Sequence, residues 1–130
     1  MNVVLDTNVI VSALINANGI PARILSLVLS GNINVLYDNR IIFEYIDVLS
    51  MKKFGFSKEA RNNIINYFKH SGEFILPEYT KIKFSDESDK KFYDVYKSGN
   101  VHYLITGNIK HFPKEDTIIV PRDFLRIYEN

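Results

Sequence analysis

Hydrophobic positions along the 130-residue chain fall into short runs that are separated by longer segments with helical periodicity. Such short apolar runs are typical of buried strands. Because buried strands that alternate with helices favour a parallel sheet, the pattern predicts an α/β fold in which helices cover both faces of the sheet. The predicted strands are Asn2–Leu5, Ile33–Tyr37, Glu73–Leu76, His102–Thr106 and Thr117–Val120.

The segments between these strands carry helix-capping residues and apolar stripes at helical spacing. Asp38 is a predicted N-cap. The helix that follows it has its stripe at Ile41, Ile42, Tyr45, Ile46 and Leu49. The predicted limits of the helices are Ala22–Leu29 after Pro21, Asp38 to about Lys52, Ser57 to Ser71, Ser85 or Asp86 to Gly99, and one or two turns from Pro121.

Two polar residues follow predicted strands at the point where each strand ends. Asp6 interrupts the apolar stretch "VVLDTNVIVSAL", and Asn108 follows "YLITG" across a glycine turn. Right-handed crossovers bring the carboxyl ends of parallel strands to one edge, where ligands bind if the strand order reverses. A carboxylate at the edge of a core is costly unless it is paired, so Asp6 is expected to have a partner there.

Glu44 and Asp89 join Asp6 and Asn108 as candidates for one polar site. Each has a structural alternative: a helix cap for Asp6, an amphipathic boundary for Glu44 and a turn for Asn108. Asp89 lies in the first predicted turn of its helix, in line with Phe92 and on the core-facing side, whereas a nearby aspartate competes for the capping role.

Three carboxylates held together would repel one another unless a cation lies between them. The chain has no cysteine and only 3 histidines, which excludes disulfides, thiol catalysis and cysteine-based zinc sites. Hard oxygen ligands fit Mg²⁺ or Mn²⁺, and such sites commonly act on phosphates. The residues therefore predict a divalent-metal site at the sheet edge.

Composition narrows the class of protein further. With 16 Lys and Arg against 15 Asp and Glu, the net charge of +1 argues against a strongly basic arm or an acidic tail. The length fits one domain, spanning residues 1–130. We see no signal peptide and no apolar window that approaches a membrane span, so we expect a soluble cytoplasmic domain.

The segments that carry these residues resemble the PIN domain. They are "VVLDTNVIVSAL", "FEYIDVL", "DESDKKFYDVY" and "HYLITGNIKHF", and they are most similar to the stand-alone prokaryotic (VapC-like) branch of toxin components of toxin–antitoxin pairs. The resemblance implies a three-layer α/β/α fold with a central, mainly parallel sheet, and metal-dependent cleavage of single-stranded RNA. It also implies a homodimer and a cognate antitoxin protein as a partner.

Residue by residue, the resemblance places the three main acids at Asp6, Glu44 and Asp89. Asn108 stands where the family most often has a fourth acid, which makes a second metal ion less expected. Asn8 and Thr106 match polar positions that orient the first acid or the attacking water.

Hydrolysis by water at this site would leave 5′-phosphate and 3′-hydroxyl ends. The segment after the glycine turn that follows the predicted strand His102–Thr106 contains three candidate RNA contacts, which are Lys110, His111 and Lys114. A second group of basic residues interleaved with aromatic residues, which could instead be solvated lysines and core rings, comprises Lys52, Lys53, Phe54, Phe56 and Lys58.

Three other functions remain open on the sequence. The first is a catalytically weak or silent PIN-like domain that binds RNA or a partner protein, for which Asn108 is the argument. The second is a phosphohydrolase for small phosphoesters, although Asn8 stands where that class often has a second aspartate. The third is a response-regulator-like domain. It would require a lysine directly after the predicted strand His102–Thr106, where this chain has Gly107 and Asn108.

Overall fold

Five parallel strands form one sheet in the computed structural model, which describes every residue from Met1 to Asn130. The strands are β1 (Asn2–Leu5), β2 (Asn34–Tyr37), β3 (Glu73–Phe74), β4 (Tyr103–Ile105) and β5 (Ile118–Ile119). The strand order is β3-β2-β1-β4-β5, so β1 lies at the centre. Val3 of β1 pairs with Val35 of β2 on one side, and Val4 pairs with Leu104 of β4 on the other.

Helices connect the strands and flank the sheet, which confirms the predicted α/β fold. The helices are α1 (Thr7–Ile15), α2 (Ile20–Leu29), α3 (Asn39–Leu49), α4 (Lys58–Ser71), α5 (Lys90–Ser98) and α6 (Pro121–Glu129), and Glu87–Asp89 and Ile109–His111 are short 3₁₀ segments. Helix α2 packs against α1 and α6, helix α3 packs against α4 and α5, and α5 also covers β1, β2 and β4.

The core consists of 32 buried hydrophobic residues from the strands and the inner faces of the helices. Val3 and Val4 of the central strand are fully buried, as is Leu104 beside them. At roughly 25 cal/mol per Å² of buried apolar surface, this cluster is the dominant stabilising contribution. It also fixes the sheet edge on which the polar residues lie.

Several predicted boundaries differ from those in the structure. Strand β3 stops at Phe74 rather than Leu76, whose side chain is 84% exposed. Helix α3 ends at Leu49, before the predicted Lys52, and the predicted stripe residue Ile46 is 37% exposed. The final helix is longer than predicted and covers nine residues.

The segment before α5 also differs from its prediction. Asp86 caps it, as one of the two predicted alternatives, but the first turn is a 3₁₀ helix and the α-helix starts only at Lys90. Asp89 is therefore at the junction of two helical segments rather than inside the first α-helical turn.

The order in which the strands are connected creates a switch point at the centre of the sheet. The chain proceeds outward from β1 to β2 and β3, and then crosses to β4 on the other side of β1. Ligands of open parallel sheets bind at such a point, outside the carboxyl ends of the strands. Asp6 and Thr106 directly follow the two strands that flank it.

No single helix is long and apolar enough to cross a bilayer.

Candidate metal-binding active site

Asp6 connects the end of β1 to the start of α1 and lies at the switch point. Its backbone N–H donates to the carbonyl oxygen of Ile105 in β4 (3.0 Å), which holds the residue between the two central strands. The residue is only 5% exposed. Its Oδ2 accepts hydrogen bonds from the hydroxyl of Thr106 (2.7 Å) and from Nδ2 of Asn8 (3.3 Å). The carboxylate is thus fixed in orientation by its neighbours.

Two aspartates occupy helix N-caps without acting as caps. Asp38, Ser57 and Asp86 each accept a hydrogen bond from a backbone N–H of the helix that they precede. Asp6 before α1 and Asp89 before α5 make no such bond. Capping therefore does not explain either carboxylate, and both remain available for another role near the positive end of a helix.

Glu44 reaches the same edge from the middle of α3. Its Oε2 accepts a hydrogen bond from the hydroxyl of Thr7, the residue after Asp6, and its Oε1 lies 2.6 Å from Nζ of Lys91. The hydroxyl of Tyr45, which is fully buried, donates to the carbonyl oxygen of Leu5 at the end of β1. These bonds tie the helix that carries Glu44 to the strand that carries Asp6.

Asp89 joins the site from the start of α5. Its side chain is 13% exposed, and its Oδ2 lies 3.2 Å from Nδ1 of His111 in the second 3₁₀ segment. Burial raises the pKa of Asp89, the charge of Asp86 raises it further, and His111 opposes these effects. The carboxylate is therefore neither freely solvated nor fully compensated.

The charges of Glu44 and Asp89 both act on Asp6. The pKa of Asp6 rises from its ordinary value of 3.8 to about 6. Burial is the largest cause, the hydrogen bond from Thr106 opposes it, and the charges of Asp89 and Glu44 add to the rise. The structure therefore brings Glu44 and Asp89 within electrostatic reach of the buried carboxylate of Asp6.

The predicted supporting residues form the rim of the site beside β4. The hydroxyl of Thr106 accepts a hydrogen bond from the backbone N–H of Asn108 (2.9 Å), while Oδ1 of Asn8 accepts one from Gly107 (3.1 Å). Asn108 itself is exposed and meets this network through its backbone. Lys110 and Lys114 are exposed too, and they line a separate cavity of about 390 Å³ with Phe112.

The donor set has the chemistry of a site for a hard divalent cation. The side chains directed to this edge offer carboxylate, hydroxyl and amide oxygens, which are the ligands that Mg²⁺ and Mn²⁺ prefer. The raised pKa of Asp6 shows that negative charge here lacks sufficient compensation, which a cation would supply. Asp6, Glu44 and Asp89 therefore suit such an ion by the chemistry of their side chains.

The three acids do not surround a common point in this structure. No group of three histidine, aspartate or glutamate side chains is arranged to enclose an ion. Glu44 is engaged by Lys91 and Thr7, and Asp89 is engaged by His111. Binding an ion would require these pairs to rearrange.

Sequence reasoning missed three residues that contact the acids or the strand that carries Asp6. Thr7 and Lys91 contact Glu44 directly, and Tyr45 joins α3 to β1. Thr7 is next to Asp6 and Lys91 is two residues after Asp89 in the chain, so proximity to a candidate acid was the available signal. The sequence pattern around a residue is local, whereas these contacts depend on how distant segments of the chain pack together. The pattern therefore could not show which acid Thr7 or Lys91 would contact.

A fully buried aspartate on α5 was also missed, and it belongs to a separate cluster. Asp94 forms ion pairs with Arg40 and Lys90 (both 3.1 Å) and accepts hydrogen bonds from Thr80. Burial alone would raise the pKa of Asp94, but these hydrogen bonds hold it below its usual value. This carboxylate is compensated, in contrast to Asp6.

Comparison with known proteins agrees with this geometry. A family model described as "PIN domain" matches residues 2–110, a range that includes all three acids and Asn108. The chain is also 34% identical over 113 residues to the uncharacterized protein MJ1680 of Methanocaldococcus jannaschii, a match that covers 83% of this chain and 71% of the relative. PIN domains are typically nucleases and generally depend on a metal ion. The match over most of the chain and the parallel five-stranded sheet establish that this protein belongs to the PIN-domain family.

Proposed function

We propose that the protein is an endoribonuclease that uses Mg²⁺ or Mn²⁺ to hydrolyse phosphodiester bonds of single-stranded RNA. The observation that carries the proposal is the buried carboxylate of Asp6, whose pKa is raised by burial and by the charges of Asp89 and Glu44. A buried acid that lacks an ion-pair partner, with two further acids near it at the switch point of a parallel sheet, is suited to hold a cation beside a phosphate.

Each side chain has a definite part in this reaction. Asp6, Glu44 and Asp89 would hold the ion, while Thr106 and Asn8 keep the carboxylate of Asp6 in place through the hydrogen bonds to its Oδ2. When bound, the ion supplies an acidified water and positive charge beside the phosphoryl group. A new bond from a water oxygen to phosphorus replaces the bond to the 3′ oxygen, so the products carry 5′-phosphate and 3′-hydroxyl ends.

The amide at position 108 favours one ion over two. An amide oxygen can ligate a cation but brings no negative charge to balance a second one. Asn108 is exposed, and it contacts the site through its backbone N–H, which donates a hydrogen bond to the hydroxyl of Thr106.

RNA would approach the site over the exposed segment that follows β4. His111 contacts Asp89 directly, and Lys110 and Lys114 are exposed on the same segment. Positive side chains there would neutralise the phosphates that flank the cleaved bond. The other basic segment is a weaker candidate, because Phe54 and Phe56 stack on each other with centroids 5.4 Å apart and Phe56 packs against the core.

We also propose that the protein is the toxin of a toxin–antitoxin pair, with a cognate antitoxin and a homodimeric state. The support is the similarity of its acid-bearing segments to the stand-alone prokaryotic branch of the family. Co-purification with the product of a neighbouring gene, together with loss of RNA cleavage in the complex, would test this part of the proposal.

The decisive experiment is cleavage of a labelled single-stranded RNA in Mn²⁺ or Mg²⁺ by the wild type, Asp89→Asn and Asp86→Asn. Asp89→Asn removes a proposed ligand and is expected to lower the rate at least about 100-fold, which corresponds to about 2.7 kcal/mol of barrier. Asp86→Asn is the matched control three residues away, because asparagine can still cap the 3₁₀ turn, and it should retain most of the activity.

The products and the variants distinguish the proposal from its alternatives. A 2′,3′-cyclic phosphate product would contradict hydrolysis by water. Equal activity of Asp89→Asn and the wild type in folded protein would remove the site. If neither Mn²⁺ nor Mg²⁺ supports cleavage and Asp6→Asn changes nothing, the silent RNA-binding or protein-binding domain becomes the better interpretation.

A further inference from the structure

The ammonium group of Lys91 forms an ion pair with one of the three acids of the proposed metal site. Its Nζ lies 2.6 Å from Oε1 of Glu44, and its side chain is only 11% exposed. It also donates a hydrogen bond to the carbonyl oxygen of Ser88, the residue before Asp89. Lys91 thus joins the segment that carries Asp89 to the side chain of Glu44.

Lysine is an unusual residue to find in so little solvent. A lysine side chain loses hydration and rotamer freedom when it is buried, so it is rarely buried unless it is paired. Lys97, further along the same helix, shows the ordinary situation: it pairs with Glu115 at 3.2 Å while its side chain remains 47% exposed. Lys90, next to Lys91 in the chain, is also largely buried, with its side chain 18% exposed, through its ion pair with Asp94. Low exposure of a lysine on this helix therefore accompanies an ion pair with a buried or partly buried acid, and for Lys91 that acid is Glu44.

A divalent ion and Lys91 would compete for the same carboxylate. Thr7 already binds Oε2 of Glu44, and Lys91 binds Oε1, so both carboxylate oxygens are engaged. Because each carboxylate oxygen has two lone pairs, a cation that used Glu44 as a ligand would either displace one of these donors or share an oxygen with it. In both cases the positive charge of Lys91 would repel the cation while it remained in place. The carbonyl oxygen of Ser88 offers the displaced ammonium group a hydrogen-bond acceptor close by.

We infer that Lys91 is a built-in counter-cation of the acid site, which holds Glu44 through its Oε1 and lowers the affinity of the site for a divalent ion. The inference rests on the proposed metal-dependent function and adds to it a residue that sets metal affinity. Lys91 is a positioning residue, since it acts through Glu44.

The test is calorimetric titration of the metal-free, full-length protein with MnCl₂ alone. The neutral variants Lys91→Met and Lys91→Gln are expected to bind Mn²⁺ about tenfold more tightly than the wild type, because both repulsion and competition are removed. Lys91→Arg keeps the charge and should bind as the wild type does. Lys97→Met removes a paired lysine outside the site and should leave the affinity unchanged.

A second measurement covers variants that are unstable without metal. In EDTA, Lys91→Met is expected to melt at a lower temperature than the wild type, and saturating Mn²⁺ should remove most of that deficit. The glutamine variant can still donate hydrogen bonds to Glu44 and Ser88, so it serves as the folded neutral form if the methionine variant does not fold.

Each outcome decides the inference. Tighter binding by a neutral variant supports it, including the case in which only the variant binds Mn²⁺. If the neutral variants bind Mn²⁺ with equal or lower affinity than the wild type, Lys91 merely orients Glu44 and the inference is overturned, while the proposed function stands as long as Asp89→Asn abolishes binding. If no protein binds Mn²⁺, the inference fails together with the metal-dependent part of the proposed function.

Discussion

Asp6 accepts hydrogen bonds from side chains on one carboxylate oxygen, Oδ2, while the residue is 5% exposed and two other acids stand near it. Asp94, which is fully buried, has two ion pairs and the hydrogen bonds of Thr80. The contrast separates two uses of a buried aspartate. Asp94 joins elements of the fold through its ion pairs. Asp6 is a buried carboxylate without an ion-pair partner, and its ionised form therefore costs folding free energy.

That cost predicts a stabilising substitution. The pKa of Asp6 is about 6 in the folded protein against an ordinary 3.8, so the folded state retains a proton that the unfolded state loses as the pH rises from about 4 to 6. Ionised Asp6 therefore destabilises the metal-free fold above pH 6. Asp6→Asn should raise the free energy of unfolding at pH 7.5 by about 1–2 kcal/mol, measured by urea denaturation in EDTA.

The gain should become small near pH 3, below the pKa of the aspartate in both the folded and the unfolded state. The matched control is Asp38→Asn, another buried aspartate, which accepts a hydrogen bond from the N–H of Ile41 (3.0 Å) and pairs with Arg40 (2.7 Å). This variant should lose stability at pH 7.5. A wild type more stable than Asp6→Asn at pH 7.5 would show that the carboxylate is compensated after all.

Helix α3 and strand β1 carry two of the proposed ligands, and their relative position depends on a few bonds. Tyr45 follows Glu44 in the chain and donates to the carbonyl oxygen of Leu5, which precedes Asp6. Its ring also packs against Phe68 of α4 and Phe92 of α5 (centroids 5.6 and 6.5 Å apart). One tyrosine on α3 therefore contacts β1, α4 and α5.

Tyr45→Phe tests this coupling of elements. The ring would stay in the core, but the hydroxyl would be lost, which is expected to lower the free energy of unfolding by about 1 kcal/mol. Because one of the two hydrogen bonds that hold Glu44 near Asp6 would be lost, while that of Thr7 remains, RNA cleavage should fall more than stability alone explains. Tyr103→Phe in β4, a half-buried ring packed edge-on against Phe124 (5.7 Å), is the control and should affect neither.

Elements were more predictable than contacts for a physical reason. Short apolar runs and capping residues are local signals, and they predicted β1 at its observed limits and α4 with its cap at Ser57. They did not predict the 3₁₀ turn before Lys90, because Asp86 caps a first turn whose further geometry depends on packing. The pairing of Lys91 with Glu44 joins two helices and has no local signal.

At the scale of the whole molecule, binding of an ion should stabilise the fold. An ion that binds only the folded state adds about 2.7 kcal/mol at a concentration 100 times its dissociation constant. Thermal denaturation should therefore shift to higher temperature in Mn²⁺, and the shift should diminish as the pH falls through about 6, where protons compete for Asp6. Asp6→Asn should show little shift at any pH, whereas a shift equal to that of the wild type would place the ion elsewhere.

The outer strands of the sheet bear on how a second copy could assemble with this one. Strands β3 and β5 form the two outer edges, and each consists of only two residues. Edges this short offer too few free backbone groups to prolong the sheet into a neighbouring molecule. A self-associated form would therefore be built from side chains on helices, and its strength would respond to substitutions on helical surfaces rather than to changes in strand backbone.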